Sequence, residues 1–155
     1  MGRVRFTVNR SGARDIELHL RVCDRDFVPP LSSRVDIVAY AAKIAERARR
    51  FEAWQEGSLI GLVAVYVGDP PAASGFVTDV SVVPGFRSRG MASALLSQAM
   101  RSCAESGLCD LTLETSRDDL RALEFYRSKG FEAVGVHDDT VVLRATLGAA
   151  GSPGL

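Results

Sequence analysis

The stretch from Val80 to Met100 reads VSVVPGFRSRGMASALLSQAM and joins a predicted strand to a predicted helix. Its β-branched residues predict a strand that stops at Pro84-Gly85. An amphipathic helix is expected to follow, because apolar residues recur three and four positions apart and form one buried face. This face comprises Ala92, Leu95, Leu96, Ala99 and Cys103. A strand, a short loop and a helix in this order predict one unit of an α/β protein.

The start of this helix has an unusual charge. A first helical turn commonly carries Asp or Glu, whose charge meets the positive end of the helix dipole. Here Arg87 and Arg89 precede the helix, and no acid follows them. Gly90 has no Cβ, so a ligand could approach the free backbone N–H groups closely. These residues fit both an anion site and a solvated turn. The spacing of GFRSRG matches neither a P-loop nor a dinucleotide-binding loop.

The rest of the chain predicts a mixed sheet with helices on its faces. Strand and helix patterns follow in the order β-α-α-β-β-β-α-β-α-β-β, with a hairpin at Glu56-Gly57-Ser58. The fold class is therefore α/β, an antiparallel meander that leads into a β-α-β-α-β half. We expect a single domain over residues 1–147 and a flexible tail over residues 148–155.

Serines mark the predicted starts of two helices. Ser32 or Ser33 would cap the second helix. That helix would bury Val38, Ala41, Ala42, Ala45 and Ala48. Ser116 would cap the last helix, which stops at Gly130. In this arrangement Asp119 would complete a capping box by returning to the Ser116 N–H group.

Composition excludes several classes of function. The 155 residues are 46% hydrophobic and 25% charged, and 19 basic residues balance 19 acidic ones. This balance disfavours general binding to nucleic acid or to an anionic membrane. No apolar run approaches the roughly 20 residues that span a bilayer, and the charged N-terminus does not resemble a secretory signal. Three cysteines and two distant histidines have no metal-ligand spacing, so we predict no metal site and a cytoplasmic protein.

Two motifs carry a family resemblance. VSVVPGFRSRGMASALL resembles motif A of the GCN5-related N-acetyltransferases (GNAT), in which Arg87, Gly90 and Ala92 fill the pattern [Q/R]-x-x-G-x-[G/A]. LETSRDDLRALEFYRSKGFEAVG resembles their motif B. The matching positions there are Ala122, Phe125, Tyr126, Gly130 and Phe131. The two stretches cover roughly Gly75 to Gly135, and the element order of the remainder fits the GNAT fold.

The resemblance implies acetyl-CoA as the acetyl donor, with no metal. Val80, Ser81 and Val82 would lie on the strand that pairs with the pantetheine arm. The pyrophosphate would be held by the loop and helix start, which comprise Arg87, Ser88, Arg89, Gly90, Met91, Ala92 and Ser93. The strand from Leu108 to Thr115 would splay away from the Val77–Val83 strand, and the thioester would lie in the gap.

Candidate catalytic groups follow from the same resemblance. Tyr126 would protonate the departing thiolate, and a main-chain N–H in Val80–Val82 would stabilise the oxyanion. Glu114, at the end of its strand, is a candidate general base, and Asp79 is a second one. A base that acts through water, or no dedicated base, stays open.

Two groups of residues have competing interpretations. Asp119 departs from the family pattern, which most often has Asn there, and an ionised Asp offers no donor to an anionic cofactor. A capping role is therefore favoured over a cofactor contact. Arg47, Arg49 and Arg50 could bind an acidic acceptor, but a run of this kind more often forms the solvated side of a helix.

The sequence therefore predicts an N-acetyltransferase that moves the acetyl group to a primary amine of a small molecule or peptide. Transfer would be direct, in a ternary complex, because no cysteine matches a catalytic position. The acceptor is expected among the first two helices, the Pro29-Pro30 loop and the Asp138-Asp139 hairpin. A non-catalytic CoA-binding or sensing module and a nucleotide-binding protein are the alternatives. The sequence leaves a monomer and a homodimer equally open.

Overall fold

A computed structural model describes residues 2–68, 72–87 and 89–148 of the chain. Ser88 and residues 149–155 of the expected tail lie outside this part. The strands are β1 (Arg5–Val8), β2 (Arg49–Gln55), β3 (Ser58–Tyr66), β4 (Ser74–Val82), β5 (Asp110–Ser116), β6 (Glu132–His137) and β7 (Thr140–Thr146). The helices are α1 (Ala13–Cys23), α2 (Ile37–Arg47), α3 (Met91–Glu105) and α4 (Leu120–Ser128). The predicted element order is confirmed.

The strands form one mixed sheet in the order β1-β2-β3-β4-β5-β7-β6. β4 and β5 run parallel, and every other neighbouring pair in this order is antiparallel. Glu56 and Gly57 both have positive φ angles in the turn between β2 and β3, which is the geometry that a tight hairpin needs. The predicted α/β fold class is confirmed.

Helices cover both faces of the sheet. On one face α1 and α2 bury an apolar cluster against β2 and β3 that includes Ile16, Leu20, Ile37, Ala41, Ile44, Trp54 and Leu62. On the other face α3 and α4 bury a larger cluster that includes Leu95, Leu96, Ala99, Cys103, Leu111, Leu123 and Phe131. The apolar stripe predicted for α3 is thus the core of this layer, and Cys103 is buried within it as expected.

The predicted start of α2 is wrong, and its predicted face is right only in part, since Ala41 and Ala48 are buried while Val38 and Ala42 are exposed. Asp36 caps this helix, because its carboxylate accepts a hydrogen bond from the Ala39 N–H at 3.2 Å. Ser33 lies in a short 3-10 turn and its hydroxyl donates instead to the Pro30 carbonyl at 2.6 Å. The helix buries Ile37, Ala41 and Ile44. Val38 is 52% exposed, because two isoleucines bury more apolar area than the valine-alanine face would.

The capping box predicted for α4 is also wrong, although Asp119 does cap the helix. Its Oδ1 accepts a hydrogen bond from the Ala122 N–H at 3.1 Å. Ser116 is the last residue of β5, where it pairs with Thr140, and it therefore cannot occupy the cap position. Gly130 follows the helix with a φ of +96°, a conformation that favours glycine.

β4 separates from β5 after the first third of its length, and the predicted splay of the two strands is observed. Their pairing is confined to Ser74–Phe76 against Asp110–Thr112. On its other edge β4 carries a bulge, since Ala64 pairs with Asp79 while Val65 pairs with Val77. A bulge bends a strand and re-aims the side chains beyond it. Here it coincides with the point where the two parallel strands part, and this opens a gap in the sheet.

Candidate active site

A cleft of about 700 Å³ occupies the gap between β4 and β5. Its walls are β4 residues from Val77 to Val82, the end of β5, the starts of α3 and α4, and the segment after α1. Parallel strands that part create such a crevice beside helix N-termini, where ligands of open α/β sheets commonly bind. Most of the predicted site residues are brought together here.

The start of α3 forms one end of the cleft. Gly90 is the N-cap with a φ of +74°, and no side chain caps the helix. The first turn contains no acid, and Gly90, Met91, Ala92 and Ser93 all line the cleft. The first N–H groups of a helix have no partner within it, so this end can bind phosphate oxygens through the main chain and the helix dipole. The anion site predicted from the sequence has the geometry that it needs.

The two predicted arginines lie in different surroundings. Arg87 lines the cleft and forms an ion pair with Asp26, from the short turn after α1. The Arg89 guanidinium lies 5.3 Å from the centroid of the Phe86 ring, a cation–π contact. Arg87 is therefore neutralised by a carboxylate of the chain itself, and an anionic ligand would compete with Asp26 for it.

A hydrogen-bonded chain runs from the cleft into the α1 layer. Ser81 Oγ lies 2.6 Å from Asp79 Oδ2 and 2.8 Å from His19 Nε2. The opposite ring nitrogen, Nδ1, lies 2.9 Å from the Leu59 carbonyl oxygen. Asp79, Ser81 and His19 are all buried. The sequence gives no sign of this chain, because His19 occupies one ordinary position of an amphipathic helix far from β4.

Asp79 is the most strongly perturbed acid of the cleft. It is 3% exposed, and burial raises the pKa of its carboxyl to about 7, although the Ser81 hydrogen bond and the Arg34 charge oppose the shift. Its Oδ1 is buried and has no hydrogen-bond partner in the described part of the chain. An unpaired buried oxygen in a ligand-sized cleft suits a group that receives a proton from a ligand.

Tyr126 lines the same cleft from α4. Its ring packs edge-on against Phe125 and Phe131, with centroids 5.3 Å and 5.8 Å away. Burial raises the pKa of the phenol, and the nearby carboxylates of Asp79 and Asp119 raise it further. The hydroxyl therefore keeps its proton at neutral pH and can act as an acid.

α4 is tied to α3 next to the helix start. Lys129 Nζ donates to the Ser93 carbonyl at 3.2 Å and to Ser93 Oγ at 2.9 Å, and it also contacts Ser97. This lysine fixes the spacing between the helix that carries Tyr126 and the helix that offers the anion site. The sequence analysis did not identify it.

Glu114 lies at the mouth of the cleft and is exposed. A smaller pocket continues outward from it between the segment after α1 and the hairpin of β6 and β7. The lining of that pocket includes Val28, Pro29, Arg34, Glu114, Asp139 and Thr140. These are the loops among which the acceptor is expected.

The arginine cluster is not the solvated face of a helix. Only Arg47 belongs to α2, while Arg49 and Arg50 are in β2. Arg50 is 8% exposed and forms an ion pair with Glu52 at 3.5 Å. Arg49 donates to Ser106 Oγ at 2.9 Å. Both interpretations offered for Arg50 are therefore wrong, because a buried and paired guanidinium can neither face water nor bind an acceptor.

Two kinds of feature are absent from the described residues. Over residues 2–68, 72–87 and 89–148, no helix combines the length and apolar character that a bilayer crossing requires. The same residues contain no group of three or more His, Cys, Asp or Glu arranged to hold a metal ion.

Fold and cleft together define an α/β protein that can hold an anionic ligand at a helix start beside a strand gap. The sequence model of the acetyltransferase (GNAT) family matches residues 16–131. The chain belongs to the acetyltransferase (GNAT) family, and the resemblance seen in its two motifs is confirmed.

A curated relative is similar over part of the chain, and solved structures share the fold. The chain is 32% identical over 82 residues to N-alpha-acetyltransferase MAK3 of Arabidopsis thaliana, covering 52% of this chain and 43% of that protein. It spans less than half the length of the curated relatives that it matches. The ribosomal-protein-S18-alanine N-acetyltransferase from Escherichia coli superposes with a TM-score of 0.73 at 17% identity, over 97% of this chain and 99% of that one. The PaiA N-acetyltransferase from Thermoplasma acidophilum, in complex with coenzyme A, gives 0.70 at 12% identity, over 92% and 99%.

Proposed function

We propose that this chain transfers the acetyl group of acetyl-CoA to a primary amine of a small molecule or peptide, directly and within a ternary complex. The observation that carries the proposal is the cleft itself. It combines an uncapped helix start at Gly90 with a buried, unpaired carboxyl oxygen on Asp79 and a protonated phenol on Tyr126. Family membership supports acetyl-CoA as the donor.

The donor would be held by main-chain groups and by few side chains. Its pyrophosphate would lie on the N–H groups of Met91, Ala92 and Ser93, with Arg87 beside it. The free edge of β4 at Val80, Ser81 and Val82 would pair with the pantetheine amides, because β5 no longer occupies that edge. A main-chain N–H of the same segment would polarise the thioester carbonyl. The described residues of the predicted cofactor set fit the group.

Acceptor chemistry needs a base and an acid. The Asp79 carboxylate would take a proton from the acceptor ammonium: the N–H bond breaks, an O–H bond forms, and both charges are neutralised. The neutral amine then attacks the thioester carbon, the carbon–sulfur bond breaks and Tyr126 protonates the sulfur that leaves. The second proton, lost by the nitrogen as the amide forms, restores the Tyr126 hydroxyl. Glu114 is the other candidate base, and its side chain is exposed at the mouth of the cleft.

The non-catalytic alternative would keep the donor site and lack turnover. Two measurements distinguish these alternatives. The first is binding of CoA, acetyl-CoA, ATP and NAD by calorimetry, and the second is thiol release with a panel of amines, peptides and amino sugars. Binding restricted to the CoA compounds together with thiol release supports the proposal. Binding without release from any acceptor favours a sensing module, and preference for ATP or NAD favours a nucleotide-binding protein.

Tyr126→Phe is expected to lower kcat by about 100-fold while the affinity for acetyl-CoA stays unchanged. The substitution removes the proton donor and keeps the ring that packs on Phe125 and Phe131. Thiol release at saturating donor measures the loss. Phe125→Leu, an apolar change on the same helix, serves as the packing control. Equal losses in the two variants would mean that Tyr126 acts through packing alone.

Arg87 and Asp26 should change donor affinity in opposite directions. Arg87→Ala is expected to weaken CoA binding by about tenfold, since it removes a charge-assisted contact with phosphate. Asp26→Asn should strengthen binding by about threefold, because the exposed ion pair that competes for Arg87 is worth little. Glu105→Gln, at the far end of α3, controls for the loss of one negative charge. Calorimetry in which Asp26→Asn weakens binding would contradict competition.

A further inference from the structure

We propose that His19 acts through Ser81 to set the protonation of Asp79, and so tunes the base that receives the acceptor's proton. His19 is then a positioning residue, because no contact joins it to the reacting atoms. The proposal rests on the proposed function for its catalytic meaning, but the hydrogen-bond chain itself can be tested in the absence of any acceptor.

The tautomer of His19 follows from its partners. The Leu59 carbonyl can only accept a hydrogen bond, so Nδ1, at 2.9 Å, must carry the hydrogen. Burial lowers the pKa of the imidazole to about 4, although its two hydrogen bonds oppose the shift. The ring is therefore neutral at pH 7, and its Nε2 is a bare acceptor that faces Ser81 Oγ at 2.8 Å.

Ser81 has a single hydroxyl hydrogen, and two neighbouring acceptors, His19 Nε2 and Asp79 Oδ2, compete for it. If the hydrogen points to His19 Nε2, the lone pairs of Ser81 face Asp79 Oδ2 at 2.6 Å. If it points to Asp79, the buried Nε2 keeps only the longer contact to Cys23 Sγ at 3.8 Å, a weak donor. When Asp79 is ionised, one of the two acceptors therefore always lacks a hydrogen bond from Ser81, a shortage of one hydrogen.

Protonation of Asp79 removes this shortage. The carboxyl hydrogen then points from Oδ2 to Ser81 Oγ, and the Ser81 hydrogen points to His19 Nε2, so that each contact contains one hydrogen. A neutral His19 therefore favours the protonated form of Asp79 across the serine. This effect acts in the same direction as burial, and it brings the proton affinity of Asp79 close to the value that suits a base at neutral pH.

The titratable and charged groups around Asp79 do not obscure the effect of His19 on the Asp79 titration. Those whose fields act on it, or feel its charge, are Cys23 on α1, Arg34 before α2, Tyr40 on α2, Tyr66 on β3 and Tyr126 on α4. The Arg34 guanidinium lowers the pKa of Asp79. Burial raises the pKa of the thiol and of each phenol. A titration between pH 4 and pH 9 therefore reports Asp79 without interference from these groups.

The first test uses the unaltered chain. Nitrogen-15 NMR of the labelled histidines separates the two neutral tautomers and the imidazolium. We expect His19 to show a protonated Nδ1 and an unprotonated Nε2 at pH 7. A protonated Nε2 in the neutral ring, or an imidazolium at pH 7, would overturn the proposal, and neither result depends on whether any variant folds.

The second test is a thermodynamic cycle on Asp79, followed through its carboxyl carbon-13 shift. His19→Asn keeps an amide donor within reach of Leu59 and removes the acceptor for Ser81. The midpoint of the Asp79 titration should fall by about one pH unit, the value of one hydrogen bond. In a Ser81→Ala background the same His19→Asn change should move the midpoint by less than about a third of that amount. Equal shifts in both backgrounds would contradict coupling through the serine.

Ile16→Val, one turn earlier on α1, is the matched control. It removes one buried methylene from the same layer and touches no polar group, so the Asp79 midpoint should not move. A shift in this control equal to that of His19→Asn would reduce His19 to a packing residue.

The acidic limb of the pH–rate profile then separates the two proposals. If the limb follows the Asp79 midpoint in wild type and in His19→Asn, both proposals hold. A midpoint that falls as expected in a chain without turnover would uphold the His19 effect and reject the transferase.

Discussion

Asp79→Asn is expected to lower kcat by about 100- to 10,000-fold, the range that a general base contributes. Asn has the same shape and can still contact Ser81, so the cleft keeps its form while losing the group that takes the proton. Donor affinity should stay unchanged, because no predicted contact to the pyrophosphate involves Asp79. Thiol release at saturating acetyl-CoA and acceptor measures the loss.

Glu114→Gln is the comparison that distinguishes the two candidate bases. Glu114 is exposed at the cleft mouth, and its substitution should change KM for the acceptor more than kcat. The opposite pattern, with a large kcat loss at Glu114 and little at Asp79, would make Glu114 the base and Asp79 a buried polar residue.

The same Asp79→Asn variant should gain stability at high pH. Burial raises the pKa of Asp79 to about 7, so between its ordinary value of 3.8 and about 7 the folded state binds more protons than the unfolded state. Stability therefore falls as pH rises through this window, and the buried charge costs most above it. Asn carries no such cost. Thermal melts should show equal stability near pH 4 and a more stable variant at pH 8, where a loss of function accompanies the gain.

The donor half of the site could be predicted from the sequence because its information is local. Gly90 and Ala92 belong to one short segment, and the helix start they form depends on neighbours along the chain. Motif B lies one strand and one helix further on, and the gap between β4 and β5 was implied by the family resemblance that the two motifs carry. Long segments with a regular apolar pattern, such as α3, specify their own secondary structure.

Tyr126 and Asp79 were among the candidates, but the hydrogen-bond chain behind Asp79 could not be predicted, because its contacts join distant positions. His19 and Ser81 are 62 residues apart, and only the packing of α1 on the sheet brings them together. The bulge of β4 at Thr78 decides which face Asp79 enters, and a pattern of alternating residues does not reveal it. Arg87 illustrates the same limit, because the carboxylate that pairs with it comes from a turn after α1.

A second buried polar network, centred on Glu52, fixes the N-terminal elements of the chain. The Glu52 side chain is fully buried on β2, where it accepts hydrogen bonds from Thr7 Oγ1 at 2.6 Å, Ser11 N–H at 2.8 Å and Arg10 N–H at 2.9 Å. Arg50 lies beside it and donates to the Ala45 and Ala48 carbonyls at 3.0 Å. The network joins β1, the start of α1 and the end of α2, the elements that position His19.

Glu52→Leu is expected to lower the free energy of unfolding by about 3–5 kcal/mol, the cost of leaving a buried partner charge uncompensated. Leucine fits the volume but has no charge and accepts no hydrogen bond, so Arg50 loses its counter-charge and the N–H groups of Arg10 and Ser11 lose their acceptor. Urea unfolding followed by circular dichroism measures the change at pH 7. Glu132→Leu, an exposed glutamate at the start of β6, should stay within about 0.5 kcal/mol of wild type.

The difference in free energy of unfolding between wild type and Glu52→Leu should become smaller at acidic pH. Burial by itself raises the pKa of Glu52, but hydrogen bonds from Ser11, Thr7 and Arg10 outweigh it and lower the pKa below its ordinary 4.5. A lowered folded-state pKa gives stability that is complete above 4.5 and is lost as pH falls through the folded value. If Glu52→Leu is instead less stable than wild type by the same amount at pH 7 and at pH 3, the loss of stability comes from packing. The Glu52 charge would then contribute nothing to the stability of this network.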